Sequence, residues 1–84
     1  MNALVDQIKQ ILMRRRTAYV ATFLSPVGEE VLADLARFCR ANKSTFHHDP
    51  RIAAMLDGRR EVWLRIQKYL NLSPDELWEV TRKD

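Results

Sequence analysis

Cys39, His47, His48 and Asp49 are the residues whose types could bind a metal or attack a substrate. Zinc sites are built from ligands at characteristic short spacings, and a single cysteine followed by two adjacent histidines matches none of them. Adjacent side chains on an extended backbone also point apart. Nucleophilic catalysis needs a nucleophile, a base and an orienting group, and the same four residues supply the types. Their spacing, however, puts Cys39 on the apolar face of a helix, where a thiol behaves as an inert small hydrophobe. No carboxylate pair stands at a spacing suited to acid–base work, and two glycines in the whole chain leave no phosphate-cradling loop. The residues therefore point to no catalytic group, no metal and no cofactor, and the chain reads as a non-enzyme.

The basic residues are more informative. Arg37, Arg40, Lys43, Arg51, Arg59, Arg60, Arg65 and Lys68 lie between Leu35 and Leu70 with only three acids among them, whereas the last segment is acidic. Polarised charge of this kind suits a phosphate backbone or an acidic protein surface. A helix-turn-helix reading fails, because Asp75, Glu76 and Glu79 would stand in the first turns of the reading helix and repel phosphate. The net charge of +3 permits such partners without requiring them.

These residues must be positioned by a small fold. Eighty-four residues with 46% apolar and 30% charged side chains make one ordinary globular domain whose single core supplies little net stability. No apolar run approaches the roughly 20 residues of a membrane span. Asp6 and Lys9 interrupt the only candidate for a leader, so secretion is not indicated. One cysteine excludes an internal disulfide and fits a reducing compartment.

Helical periodicity organises the chain into four helices, an all-α, small orthogonal or bundle-like domain spanning residues 1–84. The stretch from Asp49 to Leu70 is the expected organiser: Ile52, Met55, Leu56, Val62, Trp63, Ile66 and Leu70 form one stripe behind an Asp49-Pro50 start. Gly58 in its middle suggests a kink or a close helix crossing. From Asn2 to Leu24, a first stripe of Leu4, Val5, Ile8, Ile11 and Leu12 is resumed by Tyr19, Val20 and Phe23. Arg15 and Arg16 interrupt it, so either the helix bends there or its first half leaves the domain. On the second alternative residues 1–13 form a projecting helical extension, with Leu4, Ile8 and Leu12 as a partner-binding or self-associating surface.

Ser25-Pro26 opens a second helix running to about Asn42, with Val31, Leu32, Leu35, Phe38 and Cys39 facing inward. Gly28 on that side implies that another backbone approaches closely. Phe46 is the expected anchor of the loop from Asn42 to Asp49. Ser73, Pro74 and Glu76 spell a capping box, with Leu72 stapling onto Leu77, so a short last helix carries Leu77, Trp78 and Thr81 inward. Arg59 falls in the middle of the organising stripe and must be paired or must reach water along its stem. Asp34, flanking the inner face of the second helix, is the expected partner in a structural ion pair that fixes helix register. The alternative is a binding role for Arg59.

The run from Arg14 to Trp78 resembles a family of small proteins of tailed bacteriophages, of the type found in a Bordetella podophage and encoded among head, portal and packaging genes. The matching features include Tyr19 and Phe23 before Ser25-Pro26, Gly28, and the Val31-Leu32-Ala33-Asp34-Leu35 run with Phe38-Cys39. Ser44-Thr45-Phe46, Asp49-Pro50-Arg51, Gly58-Arg59-Arg60, the Val62 to Ile66 run and Leu70-Asn71-Leu72-Ser73 complete the set. That resemblance implies an all-helical protein in the host bacterial cytoplasm or on the virion, with no assigned catalytic residues.

Taken together, these readings point to an accessory factor of virion assembly or genome packaging that docks on a larger phage structural or packaging protein. The contact would use Arg37, Arg40, Arg51 and Arg60, with Leu4, Ile8 and Leu12 as a second surface, and no membrane. A nucleic-acid-binding protein and a small inhibitor of a host enzyme are the alternatives.

Overall fold

The structure, a computed structural model, describes residues 2–83; Met1 and Asp84, the ends of the expected 1–84 domain, lie outside the described residues. Its elements are α1 (Ala3–Phe23), α2 (Pro26–Phe38), α3 (Pro50–Asn71) and α4 (Pro74–Lys83), with no strand among the described residues. This is the all-α domain that the periodicity predicts. Each start is set by a side chain that accepts an otherwise unpaired N–H. Asn2 accepts from Leu4, Ser25 from Gly28 and Asp49 from Arg51. At α4 the capping box closes in both directions: the Ser73 N–H donates to Glu76 Oε1 at 3.0 Å and the Glu76 N–H donates to Ser73 Oγ at 3.2 Å. The Ser73 N–H holds the Glu76 carboxyl below the usual glutamate range.

The organising helix is α1 rather than α3. It packs against α4, α3 and α2, whereas α2 and α3 touch each other least of these pairings. Leu12 (4% exposed), Tyr69 (1%) and Leu77 (0%) form the central cluster, with Ile8, Tyr19, Leu72 and Trp78 packed on it. From Ala3 on, the first half of α1 thus does not stand clear of the body, because Ile8 and Leu12 pack in one cluster with Leu77 of α4. The two arginines that argued for a bend have partners instead. Arg15 Nη1 donates to the Tyr69 hydroxyl and Arg16 Nε to the Leu72 carbonyl at 2.9 Å, so α1 continues through them unbroken.

Helix α2 ends at Phe38, short of the expected Asn42. Arg40 adopts a left-handed backbone, φ 54°. The Ala41 N–H reaches the Ala36 carbonyl and the Arg40 N–H the Arg37 carbonyl, the paired closure of a helix by a left-handed residue. At the other end Gly28 behaves as expected: a Cβ there would overlap the Thr22 carbonyl at the end of α1. Gly58 does not. Nothing lies within 4 Å of where its Cβ would stand, so no helix crosses there and α3 runs on through it.

Several residues expected inside are not. Phe46 is 74% exposed and meets the edge of the His48 ring instead of anchoring the loop. Val31, Phe38, Met55 and Val62 are about half exposed, and Thr81 is exposed. The reason lies in the overall shape. The body measures 50 × 32 × 14 Å. Its radius of gyration is 15.3 Å, against about 12 Å for a compact chain of this length. Its accessible surface is 6310 Å², against about 5,200 Å² for a compact monomer of this mass. A sheet of helices only one or two layers thick leaves part of each apolar stripe uncovered.

Candidate interaction surfaces

Arg37, in the last turn of α2, and Arg40, in its left-handed closure, line a concavity of about 200 Å³ together with Ala36, Asn42 and Lys43. The Arg40 guanidinium reaches the Ser44 carbonyl at 3.3 Å. Arg60 comes to the same end from α3, and its Nη1 donates to the carbonyls of Arg40 (3.1 Å) and Lys43 (2.9 Å). Arg60 is thereby tied to the turn that follows α2, where the Arg40 carbonyl also accepts from the Lys43 N–H, and its charge stands at the negative end of that helix dipole. The charge left to meet a partner at this concavity is that of Arg37, Arg40 and Lys43. Arg51, exposed in the first turn of α3, is not among the residues lining it.

The expected second surface divides. Leu12 is buried and Ile8 half-buried against the core, whereas Leu4 is exposed, as is Ile11 one heptad further on. Beside this half of α1 runs a groove of about 470 Å³ floored by Leu72, Trp78 and Val80 and edged by Asp75, Glu76 and Glu79. Lys9 spans it to Asp75 at 3.4 Å. The charge polarisation read from the sequence is thus spatial: a basic concavity at the end of α2 and an acidic groove along α4.

The expected ion pair between Arg59 and Asp34 does not form. Arg59 lies over the Phe38 ring, 4.2 Å from its centroid, and Asp34 faces Arg37 of its own helix at 3.8 Å. A guanidinium with a long stem can satisfy itself on an aromatic face and in water, which removes the need for a buried carboxylate. Periodicity located Arg59 on the apolar stripe correctly but could not choose between a ring and an acid as its neighbour.

Sequence reasoning missed Tyr69. Its ring stacks on Tyr19 (4.7 Å between centroids, 25° between planes), and Arg15, Arg65 and Lys68 all place their charges within 6 Å of its centroid. Its three-residue spacing from Ile66 was the available signal. The Tyr69 hydrogen bond raises the Arg15 guanidinium above the ordinary arginine value, so this cation stays charged.

Cys39 is buried, while His47, His48 and Asp49 are exposed, and His47 Nδ1 accepts from the Asp49 N–H. Among the described residues no group of three or more His, Cys, Asp and Glu side chains is placed to hold a metal ion. Nor is any described helix long and apolar enough to cross a membrane.

Residues 19–82 match a protein family described as Bbp19-like phage protein. The chain belongs to that family. Its matched region begins at Tyr19, the residue stacked on Tyr69, and omits the preceding part of α1 that supplies Ile8 and Leu12 to the core. No curated protein and no solved structure matches the chain.

Proposed function

We propose that this phage-family chain is a non-catalytic interaction protein, accessory to virion assembly or genome packaging, that docks on a larger phage protein. The observation that carries the reading is the open shape of the body. A radius of gyration of 15.3 Å, against about 12 Å for a compact chain, describes a domain whose helices do not close a core by themselves. Such a domain gains stability from whatever covers it. The basic concavity of Arg37, Arg40 and Lys43 is the docking edge, and it suits an acidic protein surface. Arg51 and the exposed Leu4 are additional contact positions on the same reading.

A purified variant carrying Arg37→Glu and Arg40→Glu tests this against procapsids and mature particles of a phage that encodes a family member. Co-sedimentation of the parent with either particle, lost in the folded variant, supports docking. Binding unchanged by the reversal removes the basic edge from the reading. Absence of particle binding, together with DNA affinity that falls steeply as salt is added, would replace the reading with nucleic-acid binding.

A further inference from the structure

The apolar stripes of α2 and α3 are each covered on one flank only. On α2, Val27, Val31 and Phe38 stay about half exposed or more, with Asp34 beside them. At 100° per residue these four directions fall within about 60° of arc. On α3, Met55 and Val62 are about half exposed, and Arg59 stands between them at the same spacing of four and then three residues. The two stripes join into one face. The Arg59 guanidinium lies 4.2 Å from the centroid of the Phe38 ring, and its Nη2 is 3.7 Å from Met55 Sδ.

That face is self-complementary in charge. At its centre Arg59 has an aromatic ring and a thioether for neighbours, and at its edge Asp34 is 75% exposed, with only a loose contact to Arg37. A two-fold contact places residue i against j and j against i, so it needs a patch that carries both members of each pair. We propose that a second copy of this chain covers the face, in a two-fold dimer where Asp34 of each copy pairs with Arg59 of the other. Val31, Phe38, Met55 and Val62 then bury the apolar surface that the single chain leaves in water.

The dimensions allow it. Thirteen residues make α2, and two such helices side by side offer a face about 20 Å long and about 20 Å wide. That footprint of about 400 Å² is about half of the roughly 800 Å² per partner of a standard interface, so the dimer is expected to be a weak one that forms toward the upper end of concentration. The proposal and particle docking draw on the same open flanks, but their tests are separate: self-association is read on the purified chain alone, and docking on the basic edge of Arg37 and Arg40.

Sedimentation equilibrium of the full chain over a range of concentration tests it, with circular dichroism as the check on folding. The parent is expected to dimerise. Asp34→Arg and Arg59→Asp should each weaken the dimer about tenfold or more, by setting like charges against each other. The double variant should recover affinity to within about threefold of the parent, since the exchanged charges complement again. Asp34 is exposed, so its variant reports on the interface even if Arg59→Asp perturbs the packing on Phe38. A parent that stays monomeric at all concentrations overturns the proposal. A dimer indifferent to Asp34→Arg, or single losses that the double variant does not repair, also overturns it.

Discussion

The Arg15 guanidinium donates a hydrogen bond to the hydroxyl of Tyr69 at 3.0 Å, joining the middle of α1 to the last turns of α3. The same tyrosine is 1% exposed and stacked on Tyr19. Tyr69→Phe keeps the ring and loses the acceptor, so a loss of about 1 kcal/mol is expected. Tyr69→Ala removes the ring as well and should cost about 3–5 kcal/mol, as for other large-to-small aromatic changes. Urea denaturation of the two variants separates the hydrogen bond from the packing.

Deleting residues 1–13 takes Ile8 and Leu12 out of the cluster that covers Leu77. Leu12→Ala alone should cost about 2–5 kcal/mol. The deletion is expected to release α4 from the body, seen as loss of amide-exchange protection across Pro74–Lys83 while α2 and α3 retain helix. A fully protected α4 in the shortened chain would show that Leu12 is not its anchor.

Arg40 holds a left-handed backbone without being glycine. Arg40→Gly relieves that conformation and should stabilise the chain by about 0.5–1 kcal/mol. Arg60→Ala acts in the opposite sense. It strips a charged donor from the Arg40 and Lys43 carbonyls, and a loss of about 1–2 kcal/mol is expected. Thermal unfolding of both variants checks the opposed signs.

The two glycines give opposite outcomes. Gly58→Ala enters open space inside a helix and should stabilise by about 0.5–1 kcal/mol. Gly28→Ala drives a Cβ into the Thr22 carbonyl and must displace the junction of α1 and α2, so it destabilises. Comparing the two melting temperatures decides whether close approach or mere flexibility accounts for each glycine.

The Glu76 carboxyl sits below its ordinary range because the Ser73 N–H donates a hydrogen bond to its charged form. A depressed folded value means that the capping box contributes fully at neutral pH. That contribution is lost as pH falls from the ordinary glutamate range through the lower folded value. Glu76→Gln should therefore be less stable than the parent at pH 7, with the difference shrinking in acid. A difference constant with pH would place the effect on packing rather than charge.

The four helices and the starts of the last three are legible in local residue patterns, because Ser25, Asp49 and the Ser73–Glu76 pair act on N–H groups within a few residues of themselves. The sequence also placed the close approach at Gly28 and the burial of Cys39 and Leu77. Which helix holds the others was decided only by tertiary structure. Periodicity shows that a stripe is apolar but not what covers it, so α3, with the longest stripe, read as the organiser. The centre is instead α1, whose Arg15 and Arg16 find partners more than fifty residues away at Tyr69 and Leu72. Long-range hydrogen bonds of that kind leave no local pattern. The exposure of Phe38 and Met55 has the same origin: a chain this short supplies too few helices to cover both flanks of α2 and α3, and which flank stays open is settled by how the four elements pack.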